Sequence, residues 1–500
     1  MFETRFNSIY ENFTTSALKL FLTLRKTRRL VYVIISVSTF SLQSQTIFND
    51  NHFKKVVLSD SVVNHLISAI QIPTIYNTDS ALVIERNFRE FHTLLRNIFP
   101  TVFTQLQVEL FTSGSILVKW PGTSPTLKPI MFMAHQDVVP VDDQESKWLY
   151  PPFSGYVDSN YIYGRGTLDD KSSLVGLLEA TEFLLLNNYK PNRTIYFGFG
   201  CDEEVGGNGA KEMADQLSKK NIHFEYILDE GGSIGIDLIN LVTKPIAFVG
   251  VAEKGYLSLE LNVECESGHS SMPPNNTAIG ILSKAISNIE KHPFPTYYNG
   301  ATKMLFNSIS PYMSLSKRFV FNNAWLFSSV IKRKLKVNNS TNALIRTTSA
   351  ATIFKSGEKE NLLPNHASAT INFRIIPGES VNMVMEKIKH VVNDGKIKVS
   401  AKGNYYNATA VSNQNSFGYE AIVKSCSEIF PEAVVAPFLV IGTTDSRHFS
   451  ELSDNIFRFV PCVINNSDLS RMHGINERIG IENYKQLIRF YLRMIENSSS

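Results

Sequence analysis

Cysteine is scarce in this sequence of 500 residues. Its four cysteines, Cys201, Cys265, Cys426 and Cys462, are widely separated, and no two of them form a Cys-x-x-Cys pair. Thiols this few and scattered exclude a small disulfide-framework protein and a Cys-x-x-Cys redox or zinc motif. We interpret them as small core residues, with one or two disulfide bridges left open for an oxidising compartment.

The sequence also lacks a large excess of charge of either sign. Its 49 basic and 46 acidic residues leave a formal net charge of +3. Nucleic-acid binding requires a basic stripe, so we expect no nucleic-acid partner. A hydrophobic content of 43% over this length can bury a full core. The usual ~150 residues per domain predicts two to four domains.

The N-terminal region lacks an apolar run long enough to cross a bilayer. The run from Leu30 to Leu42 follows a basic cluster and falls short of the ~20 residues that a spanning helix needs. We interpret residues 1–50 as a targeting segment, with a secretory signal peptide favoured over an uncleaved signal anchor or a buried helix.

Asn-x-Ser/Thr sequons favour export, because they matter only in a secretory lumen. Seven of them begin at Asn192, Asn275, Asn338, Asn339, Asn407, Asn465 and Asn497. We therefore expect a protein of the secretory pathway, either secreted or anchored to a membrane through the N-terminal segment.

The most informative stretch runs from Tyr163 to Lys171. It reads as a strand end, a glycine turn, the adjacent carboxylates Asp169 and Asp170, and the start of a helix, because apolar residues follow at helical spacing. Two neighbouring carboxylates repel each other unless a cation lies between them, and zinc accepts carboxylate oxygen. For an isolated Asp-Asp pair a solvated turn would be the alternative.

Three further apolar runs end in acidic residues or histidine. Pro129–Ala134 is followed by His135-Gln136-Asp137, Thr194–Gly200 by Cys201 and then Asp202-Glu203-Glu204, and Phe224–Leu228 by Asp229-Glu230. Ligands bind at the carboxyl ends of strands in open α/β sheets, so we predict that four strands deliver these side chains to one sheet edge. Asp137 lies two residues after His135 on a strand and can orient its imidazole.

Several longer motifs together resemble a known family. They are His135-Gln-Asp137, Tyr163-Gly-Arg-Gly-Thr-Leu-Asp-Asp-Lys171, Asp202-Glu-Glu-Val-Gly-Gly207, Asp229-Glu-Gly-Gly232, Gly268-His-Ser-Ser-Met-Pro-Pro274, Asn361-Leu-Leu-Pro364, Asn372-Phe-Arg374, Thr444-Asp-Ser-Arg447 and Met472-His-Gly-Ile-Asn-Glu477. Over roughly residues 60 to 495 the chain resembles the co-catalytic di-zinc aminoacylase and carboxypeptidase family. It is most similar to the secreted N-fatty-acyl-amino-acid synthase/hydrolase branch.

The resemblance implies two zinc ions per subunit and five metal ligands. Asp169 would bridge the ions, His135 and Asp229 would complete one of them, and Glu204 and His473 would complete the other. Each ion would keep an open position for water or substrate.

The resemblance also assigns residues that do not bind metal. Glu203 would be the general base, and Asp137 would hold His135. The Asp169–Asp170 peptide bond is implied to be cis.

The resemblance and the element pattern together predict four segments of the chain. These are a targeting segment over 1–50, a first part of the catalytic domain over 55–253, an inserted domain over 254–402 and a second catalytic part over 403–500. The catalytic domain is expected to be a zinc-peptidase-like α/β sheet with helices on both faces.

In the inserted segment, helical patterns lie over Ala278–Ile289 and Val381–Val392, and strand-like patterns lie over Tyr256–Val263, Ala343–Phe354, Ala367–Ile376 and near Ile397. Their order is β-α-β-β-α-β, that of a ferredoxin-like unit. In the family such a unit is a lid or a dimerisation domain. His269 and Arg374 would reach from it into the active site to hold a scissile carbonyl oxygen and a substrate carboxylate, and Asn361 is a third substrate-binding candidate. A homodimer is accordingly expected.

Residues 293–341 are unusually aromatic and end near the basic cluster Lys332-Arg333-Lys334. Packing within the lid or at a dimer contact is one interpretation. An acyl pocket or a membrane-facing surface is the other, because buried apolar area stabilises an acyl chain.

We interpret the protein as a two-zinc amidohydrolase of N-acyl amino acids, with long acyl chains, that also catalyses the reverse condensation. Its expected partners are these small molecules, with fatty acids and amino acids as products, and a lipoprotein or membrane surface. A carboxypeptidase or dipeptidase acting on short peptides is the enzyme alternative. A metal-binding surface protein without catalysis is the alternative of another class.

Overall fold

The computed structural model describes residues 56–76 and 81–499, without the side chains of residues 142–144. The targeting segment predicted over residues 1–50 lies outside the described residues. Within the described ranges, no helix combines the length and the apolar character that crossing a membrane requires.

The strands of the described residues form two larger sheets and two short ribbons. They are β1 (Gln107–Leu110), β2 (Ile116–Trp120), β3 (Ile130–His135), β4 (Tyr161–Tyr163), β5 (Ile195–Gly200), β6 (Ile227–Asp229), β7 (Ile234–Gly235), β8 (Ile246–Glu253), β9 (Gly255–Glu264), β10 (Gly268–His269), β11 (Thr348–Ser356), β12 (Leu362–Leu363), β13 (His366–Ile375), β14 (Ile397–Tyr406), β15 (Val434–Val440), β16 (Ile456–Arg458), β17 (Val463–Ile464) and β18 (Arg478–Gly480).

Helices surround these sheets. They are α1 (Ser61–Ile70), α2 (Ala81–Ile98), α3 (Pro100–Gln105), α4 (Lys171–Leu186), α5 (Asn208–Lys219), α6 (Ala278–Lys291), α7 (Gly300–Ile309), α8 (Leu315–Asn322), α9 (Ala324–Leu335), α10 (Asn339–Ala343), α11 (Val381–Val392), α12 (Phe417–Ile429), α13 (Asn466–Leu469) and α14 (Ile481–Ser498).

The larger sheet has the order β1-β2-β5-β3-β6-β16-β8-β7-β17, and β15 pairs with β8. Its centre is parallel, since β3 runs parallel to both β5 and β6. The stretch from Leu106 to Trp120, whose alternating pattern is typical of a strand or a hairpin, forms the antiparallel β1–β2 hairpin.

Strand β3 shows why this sheet carries helices on both faces. Ile130, Phe132 and Ala134 belong to a core that includes α4 and α14, whereas Met131 and Met133 belong to a second core that includes α5. A strand that is apolar at every position can be buried on both sides, so the continuous run is explained. The predicted α/β class with two helical layers is confirmed.

The second sheet has the order β11-β13-β9-β14, and its three strand pairs are antiparallel. Helices α6 and α11 share one core with it. With these two helices the chain follows the predicted β-α-β-β-α-β order. The role of this unit as a lid or dimerisation domain stays a prediction.

The structure differs from the expected continuous insertion over 254–402 in one respect. Helices α7 to α10 interrupt the second-sheet unit and add Leu305, Phe306, Ile309 and Ile331 to the core of the larger sheet. Strand β11 begins at Thr348, so the strand-like pattern from Ala343 to Thr347 precedes the strand. Of the aromatic residues in this stretch, Phe306 is fully buried in that core, and its helix α7 lies against β15.

Candidate metal centre and active site

Three neighbouring strands deliver predicted site residues to one edge of the larger sheet. His135 ends β3 and Asp229 ends β6, while Asp202 to Glu204 follow β5. Because these strands are parallel and adjacent, their carboxyl ends meet. The strands themselves are apolar and buried, so the acidic and histidine side chains of the site lie at the strand ends.

The fourth predicted strand is placed differently. Strand β4 is not part of the larger sheet; it pairs antiparallel with β18, with Tyr163 opposite Arg478. This ribbon holds the turn that carries Asp169 beside the loop that carries His473. The expectation that four strands of one sheet supply the site is therefore wrong for β4, a three-residue strand that pairs with β18 and has one further bridge, from Ile162 to Val157.

The buried carboxylate of Glu477 joins these two loops. One of its oxygens accepts hydrogen bonds from the backbone N–H groups of Gly166 (3.1 Å), Leu168 (2.7 Å) and Asp169 (3.3 Å). Its other oxygen pairs with the Arg165 guanidinium at 2.5 Å, and Glu477 has no exposed surface. Glu477 thus fixes the turn before Asp169 from a position four residues after His473.

The two loops and two strand ends bring three side chains together around Asp169. His135 Nε2 lies 2.8 Å from Asp169 Oδ1, and His473 Nε2 lies 2.9 Å from Asp169 Oδ2. His473 Nε2 also lies 3.2 Å from Glu204 Oε1. Ligand atoms of His135, Asp169 and Glu204 all lie within 4.8 Å of one another.

This arrangement fits a metal centre bridged by Asp169. Ligands bound to zinc at about 2.0–2.2 Å in a tetrahedron lie about 3.3–3.6 Å apart. The corresponding atoms here lie 2.8, 2.9 and 3.2 Å apart, somewhat closer, because they contact one another directly. Each oxygen of Asp169 faces a different imidazole nitrogen, as a carboxylate shared by two ions requires. Nitrogen and oxygen donors of this kind suit zinc.

The backbone at His473 supports a functional assignment. This non-glycine residue has a φ of 59°, in the left-handed region. Such a conformation costs about 1–3 kcal/mol and persists mainly where the surroundings impose it, often at functional sites. Here it accompanies an imidazole directed at Asp169. The peptide bond between Asp169 and Asp170 is cis, as the resemblance implied.

The carboxylates of the cluster stabilise the protonated forms of His135 and His473. Hydrogen bonds to Asp169 and Glu204 raise the pKa of His473 to about 10. Burial opposes protonation of His135, but its carboxylate neighbours raise its pKa well above the ordinary value. Since zinc binds neutral imidazole, metal binding must release these protons, and metal affinity is expected to fall as the pH is lowered.

Asp137 has the position of an orienting residue. Its carboxylate lies 3.3 Å from His135 Nδ1, on the side of the ring opposite Asp169. The same carboxylate accepts hydrogen bonds from the backbone N–H groups of Glu203 (3.1 Å) and Glu204 (3.0 Å). A single buried aspartate therefore positions the imidazole and the turn that carries the two glutamates.

Glu203 lies beside the cluster but is not one of its members. Burial raises the pKa of its carboxyl group well above the ordinary value, and nearby acidic groups act in the same direction. Arg447 Nη1 lies 3.9 Å from Glu203 Oε1. Arg447 also donates to the backbone carbonyls of Thr444 (2.5 Å) and Gly206 (2.7 Å), so it ties the Glu203 turn to the loop after β15.

Asp229 is close to this edge but outside the cluster. Its carboxylate oxygens accept hydrogen bonds from the backbone N–H groups of Ser446 (2.8 Å) and Glu230 (2.9 Å). Those bonds fix the carboxylate in a buried position at the end of β6. Each oxygen has a further lone pair, so Asp229 retains the capacity to bind metal.

The substrate-binding candidates lie on the second-sheet unit and its ribbon, and among the described residues none of them has a hydrogen bond or ion pair with a member of the cluster. His269 is exposed and its imidazole contacts Ser271 Oγ at 2.8 Å. Asn361 lies just before the partner strand of His269 in the β10–β12 ribbon. Arg374 stacks on the Tyr256 ring, with its guanidinium carbon 4.9 Å from the ring centroid.

Sequence reasoning gave no role to three buried charges of this site, Arg165, Glu477 and Arg447. Each lies inside a motif that was quoted for its neighbours. One signal in the sequence could have identified them: each is a charged residue within one of the motifs that carry the family resemblance. Such a residue is expected to be buried with the site, and a buried charge must be paired.

Comparison with known proteins agrees with this geometry. Residues 131–497 match the family model described as Peptidase family M20/M25/M40. The chain is 44% identical over 417 residues to "Probable carboxypeptidase S-like 2" of Dictyostelium discoideum, which covers 83% of this chain and 80% of that relative.

A second relative carries a different name. The chain is 39% identical over 446 residues to "N-fatty-acyl-amino acid synthase/hydrolase PM20D1" of Xenopus tropicalis, with 88% of this chain and 86% of the relative covered. Among solved structures, the M20 family metallo-carboxypeptidase Sso-CP2 from Sulfolobus solfataricus superimposes with a TM-score of 0.67 at 20% identity, covering 88% of this chain and 100% of that one. This likeness concerns the fold.

Proposed function

The chain belongs to the M20/M25/M40 peptidase family and is a hydrolase of amide or peptide bonds, and we propose that its substrates are N-acyl amino acids with long acyl chains. The proposal of hydrolytic catalysis rests on one observation: His135, His473 and Glu204 converge on Asp169. Glu203, which we assign to no metal ion, lies beside them. The substrate class rests on the 39% identity to the N-fatty-acyl-amino acid synthase/hydrolase.

We assign two zinc ions to this centre. Asp169 is shared, His135 and Asp229 hold one ion, and Glu204 and His473 hold the other. Zinc held by these residues would supply polarisation of the amide carbonyl and a lowered pKa for a bound water molecule.

Glu203 supplies the proton transfers. Its carboxylate takes the proton of the attacking water and passes it to the departing amine nitrogen, so that acid and free amino acid are released. The raised pKa of the buried Glu203 carboxyl group suits a group that must hold a proton between these two steps.

Two side chains of the second-sheet unit bind substrate in this proposal. Arg374 pairs with the carboxylate of the amino-acid part, and His269 donates to the carbonyl oxygen as negative charge develops there. Because neither of them has a hydrogen bond or ion pair with the cluster among the described residues, we propose that the unit approaches the site on substrate binding or that a second copy supplies them. The same groups catalyse condensation, since a catalyst lowers both barriers equally.

A carboxypeptidase is the second candidate, favoured by the 44% identity to the carboxypeptidase S-like relative. We would assay the zinc-loaded protein in parallel on N-oleoyl-phenylalanine and on a dipeptide, with Glu203→Gln as the matched inactive control. Cleavage of the lipid amide, and its formation from oleate and phenylalanine, is the expected result. Rapid dipeptide cleavage without action on the lipid amide would assign the protein to the carboxypeptidase alternative.

We propose further that the protein enters the secretory pathway, on the basis of its N-terminal apolar run and its sequons. A mass decrease of the cell-derived protein after enzymatic removal of N-glycans is expected. An unmodified mass together with a cytosolic location would contradict this proposal.

A further inference from the structure

The basic residues of this nearly neutral chain are unevenly distributed. Residues 291–357 contain no Asp or Glu, although the whole chain has 46 acidic residues. Within this stretch, six lysine or arginine side chains lie on or next to α8 and α9: Lys317, Arg318, Lys332, Arg333, Lys334 and Lys336. The two helices form consecutive arms of one hairpin, joined by Asn323. We call this element the α8–α9 hairpin.

One side of the α8–α9 hairpin anchors it to the protein. Phe321 stacks on Phe306 with the ring centroids 4.8 Å apart, and Ile331 and Leu335 are buried in the core of the larger sheet. These contacts fix which side of the hairpin faces outward.

The outward side is strongly apolar. The exposed fractions are 83% for Leu315, 60% for Phe319, 83% for Trp325, 59% for Leu326 and 40% for Val330. Exposed apolar side chains that occur singly need no explanation, but several on one hairpin mark an interaction surface.

Cations accompany these apolar side chains. Arg318, Arg333 and Lys336 are exposed, and no ion pair with an acid involves any of the three among the residues that the structure describes. A surface that combines exposed tryptophan and leucine with unneutralised cations fits the interface of a membrane, where apolar groups insert and cations meet lipid headgroups.

We propose that the α8–α9 hairpin is a docking surface for anionic phospholipid membranes. Anionic headgroups supply the charge that the hairpin lacks, and each lysine or arginine near such a surface contributes about a five-fold factor to partitioning. A second copy of this chain fits less well because two like-charged hairpins would repel each other. A protein partner fits less well because lysine is depleted at the cores of protein interfaces.

The chain offers a selective probe of this contact. It has three tryptophans, and Trp120 and Trp148 are 5% and 9% exposed, whereas Trp325 is 83% exposed. Quenching of tryptophan fluorescence by brominated lipids therefore reports contact at Trp325, even if another segment of the full chain also touches the vesicle. Loss of the quenched signal in Trp325→Phe would assign it to this residue.

We would mix the full-length protein with brominated phosphatidylcholine vesicles that contain or lack phosphatidylserine, at low and high salt. Quenching is expected only with phosphatidylserine and at low salt, because salt screens surface charges. Equal quenching on neutral vesicles, or none on any vesicle, would overturn the proposal. Binding of a protein partner through the hairpin without vesicle quenching would also overturn it, in favour of a protein interface.

A charge-reversal variant and a matched control locate the surface. Arg318→Glu/Arg333→Glu/Lys336→Glu should weaken vesicle partitioning by on the order of 10²-fold. Lys389→Glu/Lys396→Glu/Lys398→Glu reverses three exposed lysines of the second-sheet unit with the same change in net charge and should leave partitioning near the parent level. Equal losses in both variants would show a general charge effect and remove the assignment to the hairpin.

This inference stands apart from the proposed function, because quenching is measured without substrate. Turnover of a water-soluble short-chain acyl amino acid should be the same in the parent and the hairpin variant. Membrane docking without such turnover would refute the proposed function alone, whereas turnover without docking would refute the docking surface alone.

Discussion

The predicted metal ligands and the substrate-binding candidates come from motifs of similar length, yet the structure brings together four of the five predicted metal ligands and bonds none of the substrate-binding candidates to them. His135 lies 2.8 Å from Asp169, whereas His269 is exposed and contacts its neighbour Ser271. The predicted metal ligands are held by adjacent strand ends of the larger sheet and by loops at the β4–β18 ribbon, whose Ile162 and Ile479 belong to the core of that sheet. The second set lies on a separate sheet with its own core. A site built within one core is preorganised, whereas one built across two units depends on their approach.

The largest effect that would test this difference is expected at the bridging carboxylate. Asp169→Asn keeps the size of the side chain but removes the charge shared by both ions, so both zinc equivalents should be lost. Turnover should fall by at least about 10⁴-fold, since the metal-dependent acceleration goes with them. Metal analysis and kcat would be measured beside Asp215→Asn, an exposed neutralisation on α5. Retention of two zinc ions by Asp169→Asn would contradict a bridging role.

Glu203→Gln separates catalysis from metal binding inside the preorganised site. The amide cannot accept the proton of water, so kcat should fall by about 10²–10⁴-fold with KM little changed. Both zinc ions should stay bound because Glu203 is assigned to neither of them. Loss of zinc from this variant, with near-normal zinc in Glu204→Gln, would show that the two glutamates have each other's role.

Glu477→Gln probes the clamp that holds the Asp169 turn to the His473 loop. Neutralisation weakens its bonds to the turn and to Arg165, and outer residues of this kind typically change metal affinity by about 10–100-fold. Zinc dissociation constants would be measured by competition with a chelator. Glu477→Gln also leaves the buried Arg165 charge unpaired, which should lower the free energy of unfolding. The double variant Arg165→Met/Glu477→Met leaves no unpaired buried charge, so it should be more stable than Glu477→Gln while its zinc affinity stays low. Parent-like zinc affinity in both variants would remove Glu477 from this role.

The smallest effect is expected on the second-sheet unit. Arg374→Ala should raise KM for free-acid substrates by about 10-fold through loss of a charge-assisted hydrogen bond, and raise KM for their methyl esters much less. Zinc content should not change, because Arg374 lies outside the preorganised layer. Equal increases for acids and esters would show that Arg374 does not recognise the carboxylate.

The sequence predicted the fold well where local pattern decides structure. The apolar run from Pro129 to Ala134 became the central strand β3, and the helix predicted over Val381–Val392 has those bounds. It did not place β4 in its ribbon, because three residues carry too little pattern to choose between two sheets. Nor did it reveal that α7 to α10 pack on the larger sheet, since periodicity shows that a helix face is apolar but not which core covers it.

In the candidate site, too, local motifs were predictable from the sequence and long-range contacts were not. Motifs indicated His135, Asp169, Glu204 and His473, which the structure brings together. The clamp by Glu477 depends on hydrogen bonds across more than three hundred residues of sequence, which no local pattern records. Its burial and its partners became visible only in the folded chain.

The central claim is that the cluster around Asp169 is a two-metal hydrolytic centre. The most direct measurement is to strip the protein of metal with a chelator and to titrate zinc back while following hydrolysis of N-oleoyl-phenylalanine. Activity should vanish on stripping and reach its maximum at two equivalents of zinc per chain. Full turnover in the metal-free protein, or a maximum at a single equivalent, would contradict the account.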